Sequence, residues 1–383
     1  MTDKKGNLLV RLLGAVFYYI SDLFSIEYVY PGNTSRIGHL VIEIETYVKM
    51  NRINANHVRP IYFIDKKAVA NHYMLRLWER DNLIIDLGSW WGARFSGLVN
   101  EYAWDFCKNV HGDYSRYWNG RTLYTGDNLV VISDREKNKG REILADLGVP
   151  VDAWFVCIHV REANYLPTLK YHSYRDNTFS NYGKAIESIV SLGGYVIRMG
   201  DSGMSCPEAK AGLIDYAHSS LRSDFMDIYL CSSCRFFIGD TSGLAGVPFL
   251  FEVPIVSVNL IPFYHVQPNT LFITKKLYSR KDQRYLSYAE IVRHGYHKYC
   301  YAEEYAAAGL DVIENEPEEI RDVVEEMIDY LDADPDERQS LWYRKMNKQQ
   351  RNMNGLLSEA GVPCEINARL GHAFCRKYGN ELL

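Results

Sequence analysis

The sequence predicts an α/β protein of two Rossmann-like domains followed by a C-terminal helical tail. The chain has 383 residues, enough for two domains of ordinary size. Short apolar, β-rich runs alternate with helix-patterned runs, as in parallel sheets joined by crossover helices. The alternation occurs twice, before and after REKNKGREILADLGVPVDA (135–153), which is charged, then helical, then carries Gly148 and Pro150. The expected division is therefore 1–150 for the first domain, 151–330 for the second and 331–383 for the tail.

In the first half, strands are expected at YVYP (28–31), RPIYFID (59–65), LIIDLG (83–88) and LVVIS (129–133). Helices fall between them at 37–50 and 68–80. In the second half, WFVCIHV (154–160), GYVIRM (194–199), RFFIG (235–239) and IVSVN (255–259) read as buried strands, with helices at 180–192 and 223–233. After about 315 the chain turns acidic and helical, in EPEEIRDVVEEMIDYLDA.

Residues 8–26 are strongly apolar, but the uncharged run between Arg11 and Asp22 is ten residues, too short to span a bilayer. No small-residue cleavage site follows it. The segment reads as a helix packed on the first domain; the second reading, with Lys4, Lys5 and Arg11, is a helix lying at a membrane surface. A cytoplasmic protein, at most peripheral at the inner face of the membrane, is expected.

A formal net charge of −5 argues against a nucleic-acid-binding surface. Eight scattered cysteines suit a reducing compartment rather than a disulfide framework. The lone CxxC of Cys231 and Cys234 has no second ligand pair and reads as small residues packing at a helix end.

In open α/β sheets ligands sit outside the carboxyl ends of the strands. Four consecutive strands of the second half each end in polar or glycine residues. The first releases His159, Arg161 and Glu162; the second Arg198, Gly200 and Asp201; the third Asp240, Thr241, Ser242 and Gly243; the fourth Asn259. The DTSG turn has small hydroxyls and a glycine where a helix begins, which suits phosphate oxygens. An ordinary N-cap turn would use the same residues. It is neither a Walker loop nor a GxGxxG. Arg161 suits a bidentate phosphate contact, and Arg198 could add a second. The alternative for Arg198 is a salt bridge to Asp201 or Glu162. Glu162 reads as a general base or as the orienter of Arg161, and His159 as a ligand contact or a core histidine. In the first half, YPGNTSRIGHLVIE (30–43) places His39 in the first turn of a helix and Glu43 one turn on. Either could take a proton from an acceptor hydroxyl, or the two form a plain i,i+4 pair.

The stretches SRIGHLVIE, CIHVRE, GGYVIRMGDS, IDYAHS, RSDFMDIYLCSSCRFFIG and DTSGL resemble a family of bacterial glycosyltransferases known mainly from genome sequences, over roughly residues 30–262. The HVR piece is similar to the HxR motif of GT-B fucosyltransferases, whose arginine binds the donor diphosphate; carried over, that role falls on Arg161. The motif continues here as Glu-Ala-Asn rather than with basic residues, so the resemblance does not imply GDP-fucose. The Gly38-His39 turn is similar in position to the glycine-rich loop of heptosyltransferases, where an acidic catalytic residue follows the glycine. His39 stands there in this chain, which leaves the base open among His39, Glu43 and Glu162.

The resemblance implies a GT-B fold, with the acceptor on the first domain, the nucleotide sugar on the second and the tail packing back on the first. GT-B enzymes generally need no bound metal, so no cofactor is expected. The expected function is an inverting glycosyltransferase acting on a glycan, lipid-linked or protein acceptor. The rivals are a nucleotide-sugar epimerase or hydrolase, and a non-catalytic carbohydrate-binding protein.

Overall fold

The computed structural model describes residues 3–53, 58–105, 128–163, 170–262, 265–267, 269–334, 338, 348–359, 368–379 and 381–382. Contacts divide the chain into two compact units, Met1–Ile132 and Ser133–Leu383. The second unit thus begins at Ser133, just ahead of the charged stretch 135–153. Ser133 caps the helix Asp134–Asp146 by a reciprocal bond with Glu136, and Gly140 of that helix lies against the Tyr229 ring of the second unit.

The first unit is a four-stranded parallel sheet of β1 (Ile26–Tyr30), β2 (Arg59–Ile64), β3 (Leu83–Asp86) and β4 (Trp104–Asp105), in the order β3-β2-β1-β4. Tyr28, Phe63 and Val99 form a core under one face. The strand expected at 129–133 is not formed; Leu129, Val130 and Ile132 are buried in irregular chain.

The N-terminal apolar segment is a helix, Asp3–Leu23. It packs on the helix Trp90–Val99 of the same unit through an edge-on Phe17–Phe95 pair, with Tyr18 stacked on Tyr102 and Arg11 paired with Glu101. Leu12, Val16, Tyr19 and Leu23 of its other side are exposed. Among the described residues no helix is long and apolar enough to cross a membrane.

The second unit is built on a seven-stranded, wholly parallel sheet. Its strands are β5 (Phe155–Ile158), β6 (Tyr195–Arg198), β7 (Leu213–Asp215), β8 (Phe237–Gly239), β9 (Ile255–Leu260), β10 (Thr270–Thr274) and β14 (Arg369–Leu370). They lie in the order β14-β10-β9-β8-β5-β6-β7. Every residue of β5, β8, β9 and β10 is buried, which is why these segments read as continuous apolar runs. A small antiparallel sheet of β11 (Lys276–Ser279), β12 (Arg284–Tyr285) and β13 (Leu310–Ile313) flanks it. Cys231 and Cys234 are buried at the end of the helix Asp224–Ser233, packing as the apolar reading expects.

The helix Pro317–Asp332 covers the sheet and packs on the helix Gly183–Ser191. Of the tail, β14 adds to the edge of β10, and the helix His372–Tyr378 packs on Pro317–Asp332. A buried pair of Arg369 with Glu326, at 2.8 Å, ties them together. Residues 339–347 and 360–367 of the tail lie outside the described residues.

Candidate active site

Strand order locates the crevice. The chain runs outward from β5 through β6 to β7, then returns to the other side of β5 as β8 and continues through β9 to β10. The order therefore reverses between β5 and β8, and a ligand crevice opens at such a switch point, beyond the carboxyl ends of the strands. The residues beyond β5 are His159 to Glu162, and those beyond β8 are Asp240 to Gly243.

These two strand ends are joined. Asp240, 3% exposed, accepts the Arg161 backbone N–H at 2.6 Å and the Asn177 side-chain N–H at 2.7 Å through the same oxygen. The Asn177 N–H donates to the Arg161 carbonyl at 2.8 Å, so the Arg161 backbone is held on both sides. The Arg161 side chain stays partly accessible, and its Nε donates to Asp176 at 3.0 Å. Burial pushes the Asp176 carboxyl up, and the Arg161 guanidinium opposes that rise.

Ser242 stands at the start of a short 3₁₀ turn, Gly243–Ala245, but its hydroxyl does not cap it. The hydroxyl meets Nδ1 of His159 at 3.1 Å instead. Burial keeps His159 below the usual histidine range, with Arg161 and Arg198 adding to the lowering, so a neutral ring faces the turn. Thr241 is 9% exposed and its hydroxyl accepts the Ile261 N–H at 3.2 Å. His159, Arg161, Asp240, Thr241, Ser242 and Gly243 thus lie at two adjoining strand ends.

Arg198 is placed differently. It is 1% exposed, beside Asp215 in register across β6 and β7. Its guanidinium donates to Glu162 at 2.8 Å and Asp215 at 3.2 Å and lies 4.6 Å from the Phe179 ring. The salt-bridge alternative therefore describes it, with Glu162 rather than Asp201 as partner. Glu162 is occupied in turn: its second oxygen accepts the Ser205 N–H at 2.8 Å. It orients Arg198, while Asp176 orients Arg161. Asp201 pairs with Arg222 at 3.2 Å. Gly200 is required where it stands, because its φ is +147° and a Cβ there would lie 2.2 Å from the Met204 sulfur. Asn259 is 1% exposed and left-handed, φ 55°, and exchanges two 2.6 Å bonds with Asn315. That exchange ties β9 to the start of the helix Pro317–Asp332.

Beyond β6 and β7 lies a polar cavity of about 410 Å³, lined by Ser202, His218, Arg222, Ser223, Asp224 and Asp227 among others. Burial pushes Asp227 up to about 6, and Tyr216 donates to it at 2.8 Å. The unfolded carboxyl titrates near 3.9, so the folded state holds the extra proton between about pH 4 and 6. Stability from this group is therefore lost as pH rises across that window. Asp227→Asn is expected to raise stability at pH 7 by about 1–2 kcal/mol and to leave it unchanged at pH 4, read by urea unfolding at both pH values.

Among the described residues, one trio brings possible metal-ligating atoms within reach of one another: Cys206, Asp215 and His218. Asp215 already serves Arg198 and, at 2.6 Å, His218, so a metal ion there would sit beside a buried guanidinium.

The first unit presents a second arrangement, at the end of β1. His39 and Glu43 lie in a single wide helical turn, His39–Glu43, that leads into the helix Ile44–Ile53. Glu43 is 3% exposed; one oxygen meets Nδ1 of His39 and the other accepts the Gly32 N–H. Gly32 is needed for this approach, since a Cβ would lie 2.8 Å from the Glu43 carboxylate. The i,i+4 pair foreseen from sequence is present, but it is no plain surface pair. The carboxylate is buried and holds the imidazole through Nδ1, while the ring itself is partly exposed.

Sequence reading missed Asp176 and Asn177, which hold Arg161, and Lys275, which follows β10. Lys275 carried a usable signal: TLFITKK ends an apolar strand in charge, just as WFVCIHVRE does.

No protein-family profile and no curated protein matches the sequence. Among solved structures, the glycosyl transferase family 9 protein from Veillonella parvula is similar with a TM-score of 0.45 and 13% identity, over 74% of this chain and 95% of that one. The iron-containing dodecameric glycosyltransferase TibC from enterotoxigenic E. coli is similar with a TM-score of 0.38 and 14% identity, over 65% and 63%. E. coli heptosyltransferase WaaC with ADP follows with a TM-score of 0.33 and 12% identity, over 74% and 99%.

Proposed function

We propose that the chain is an inverting glycosyltransferase of the GT-B type, moving a sugar from a nucleotide-sugar donor to a hydroxyl acceptor without a metal ion. The observation that carries this reading is Arg161 at the β5/β8 switch point, its backbone held by Asp240 and Asn177 and its partly accessible guanidinium held by Asp176, beside the strand end that carries the Thr-Ser-Gly turn. A planar fork beside small hydroxyls suits a diphosphate, and the HxR resemblance assigns the same arginine that role. The polar cavity beyond β6 and β7, on the same sheet edge, offers carboxylates to the hydroxyls of a nucleoside.

In the first unit, His39 acts as the base. Its Nε2 takes the acceptor hydroxyl proton while Glu43 holds Nδ1–H and favours the imidazolium that forms. The acceptor oxygen bonds to the anomeric carbon, the bond from that carbon to the diphosphate breaks, and Arg161 meets the charge on the leaving nucleoside diphosphate.

The test is nucleotide release by the full chain, with and without acceptor, after a thermal-shift screen against GDP, UDP, ADP, dTDP and CMP selects the donor nucleotide. Release that needs acceptor supports transfer; equal release without acceptor points to a hydrolase, and no turnover with any nucleotide sugar overturns the enzyme reading. His39→Ala is expected to lower kcat about 10²- to 10⁴-fold with donor binding unchanged, measured as initial rate and by calorimetry.

A further inference from the structure

Two lysines follow β10: Lys275 in the link to β11, and Lys276 as the first residue of β11. Lys276 is saturated: its ammonium donates to both Glu319 oxygens at 3.1 Å and to the Tyr378 hydroxyl at 2.9 Å. Lys275 is as deeply placed, 3% exposed, yet it donates to a single acceptor, the Asp176 carbonyl, at 2.7 Å. An ammonium has three protons, so two lack a protein acceptor among the described residues. Asp176 is also the residue whose carboxylate holds Arg161. One residue therefore grips both cations, Arg161 by its side chain and Lys275 by its main chain.

The charged groups around Lys275 come from several elements. Asp176 follows the 3₁₀ turn Lys170–Arg175, Asp240 follows β8 and Glu314 follows β13; all three carboxylates favour the ammonium. Arg161 and Arg175 stand on the Asp176 side. Burial outweighs the carboxylates and lowers Lys275 to about 8.

We propose that Lys275 is the second cation of the donor-phosphate site, tied to Arg161 through Asp176, and that it makes anion binding there pH-dependent in the mildly alkaline range. The inference rests on the reading of Arg161 and the DTSG turn as a phosphate site. An anion favours the protonated lysine. Below the pKa of Lys275 in the anion-free protein the proton is already present and affinity is flat. Above it, binding must first take up a proton, and affinity falls about tenfold per pH unit. Lys275 is a binding residue in this scheme, its ammonium meeting the anion directly. A lysine that merely braced the Asp176 carbonyl would affect stability without producing that slope.

The test uses the full chain and inorganic pyrophosphate, by titration calorimetry at pH 7 and pH 9. Lys275→Arg keeps its charge at both, so the ratio of wild-type to Lys275→Arg dissociation constants cancels the ionisation of pyrophosphate itself. That ratio is expected to rise about tenfold from pH 7 to pH 9. Lys275→Gln is expected to bind weakly at pH 7 and to show no pH dependence beyond that of Lys275→Arg. A ratio that stays constant, or wild-type affinity in Lys275→Gln, overturns the role of Lys275 and leaves the Arg161 site standing. No pyrophosphate binding by the wild type at either pH removes the phosphate-site reading and this inference together. If Lys275→Gln does not fold, the comparison of wild type with Lys275→Arg still decides.

Discussion

Arg161→Ala is expected to weaken nucleoside diphosphate binding about 10- to 100-fold, the loss of charge-assisted hydrogen bonds worth about 1.5–3 kcal/mol. Its backbone bonds to Asp240 and Asn177 do not involve the side chain, so the turn itself should survive. The partner left behind, Asp176, is mostly buried, so a stability loss of about 1–3 kcal/mol is expected beside the loss of affinity. Arg161→Lys should recover part of the affinity, because a point charge replaces a planar fork. Calorimetry with the nucleotide that gives the largest thermal shift reads both variants. Near-wild-type affinity in Arg161→Ala would sink the assignment of the β5/β8 crevice as the phosphate site.

Arg198→Ala is expected to act on the other quantity. Arg198 is 1% exposed, and its removal strips Glu162 of a 2.8 Å partner and leaves a largely buried carboxylate uncompensated. Breaking a buried pair from one side costs about 3–5 kcal/mol. The loss also takes away the contact with Phe179. The double variant Arg198→Met, Glu162→Gln should be more stable than Arg198→Ala, since no charge is then left unpaired. Urea unfolding of the three proteins tests this. Should Arg198→Ala keep its stability and lose nucleotide affinity, Arg198 belongs to the phosphate site after all, as the sequence pattern alone suggests.

The contrast between these two arginines shows where sequence reasoning stopped. Both end an apolar strand, and both look available for phosphate. What separates them is the neighbour across the sheet. Beside Arg198 in register lies Asp215, the end of a strand whose three residues, LID, are too few to stand out in a sequence. Beside β5 lies β8, and Asp240 just beyond it takes the Arg161 backbone N–H and leaves the side chain to Asp176. The same limit explains Lys275. Its charge is visible after TLFIT, but its shortage of acceptors appears only once Asp176 is folded against it.

His39 and Glu43 lay within reach of sequence because their spacing is local: four residues along a helix bring two side chains together whatever the rest of the chain does. The burial of Glu43, and its hold on Gly32 eleven residues earlier, depend on the loop after β1 folding back. That is a tertiary fact, and it turns an ordinary i,i+4 pair into an oriented imidazole.

The sequence by itself determined the α/β class, the alternation in each half and the polar strand ends, because burial on both faces forces long apolar runs and ends them where water or ligand begins. The strand expected at 129–133 shows the reverse: an apolar run without a pairing partner is buried as irregular chain. Only the tertiary structure decided the strand order, and with it the switch point beside β5. It also decided which charges face the crevice and which neutralise one another inside, because hydrogen-bond partners lie far apart in the chain and pair only when the sheet is assembled.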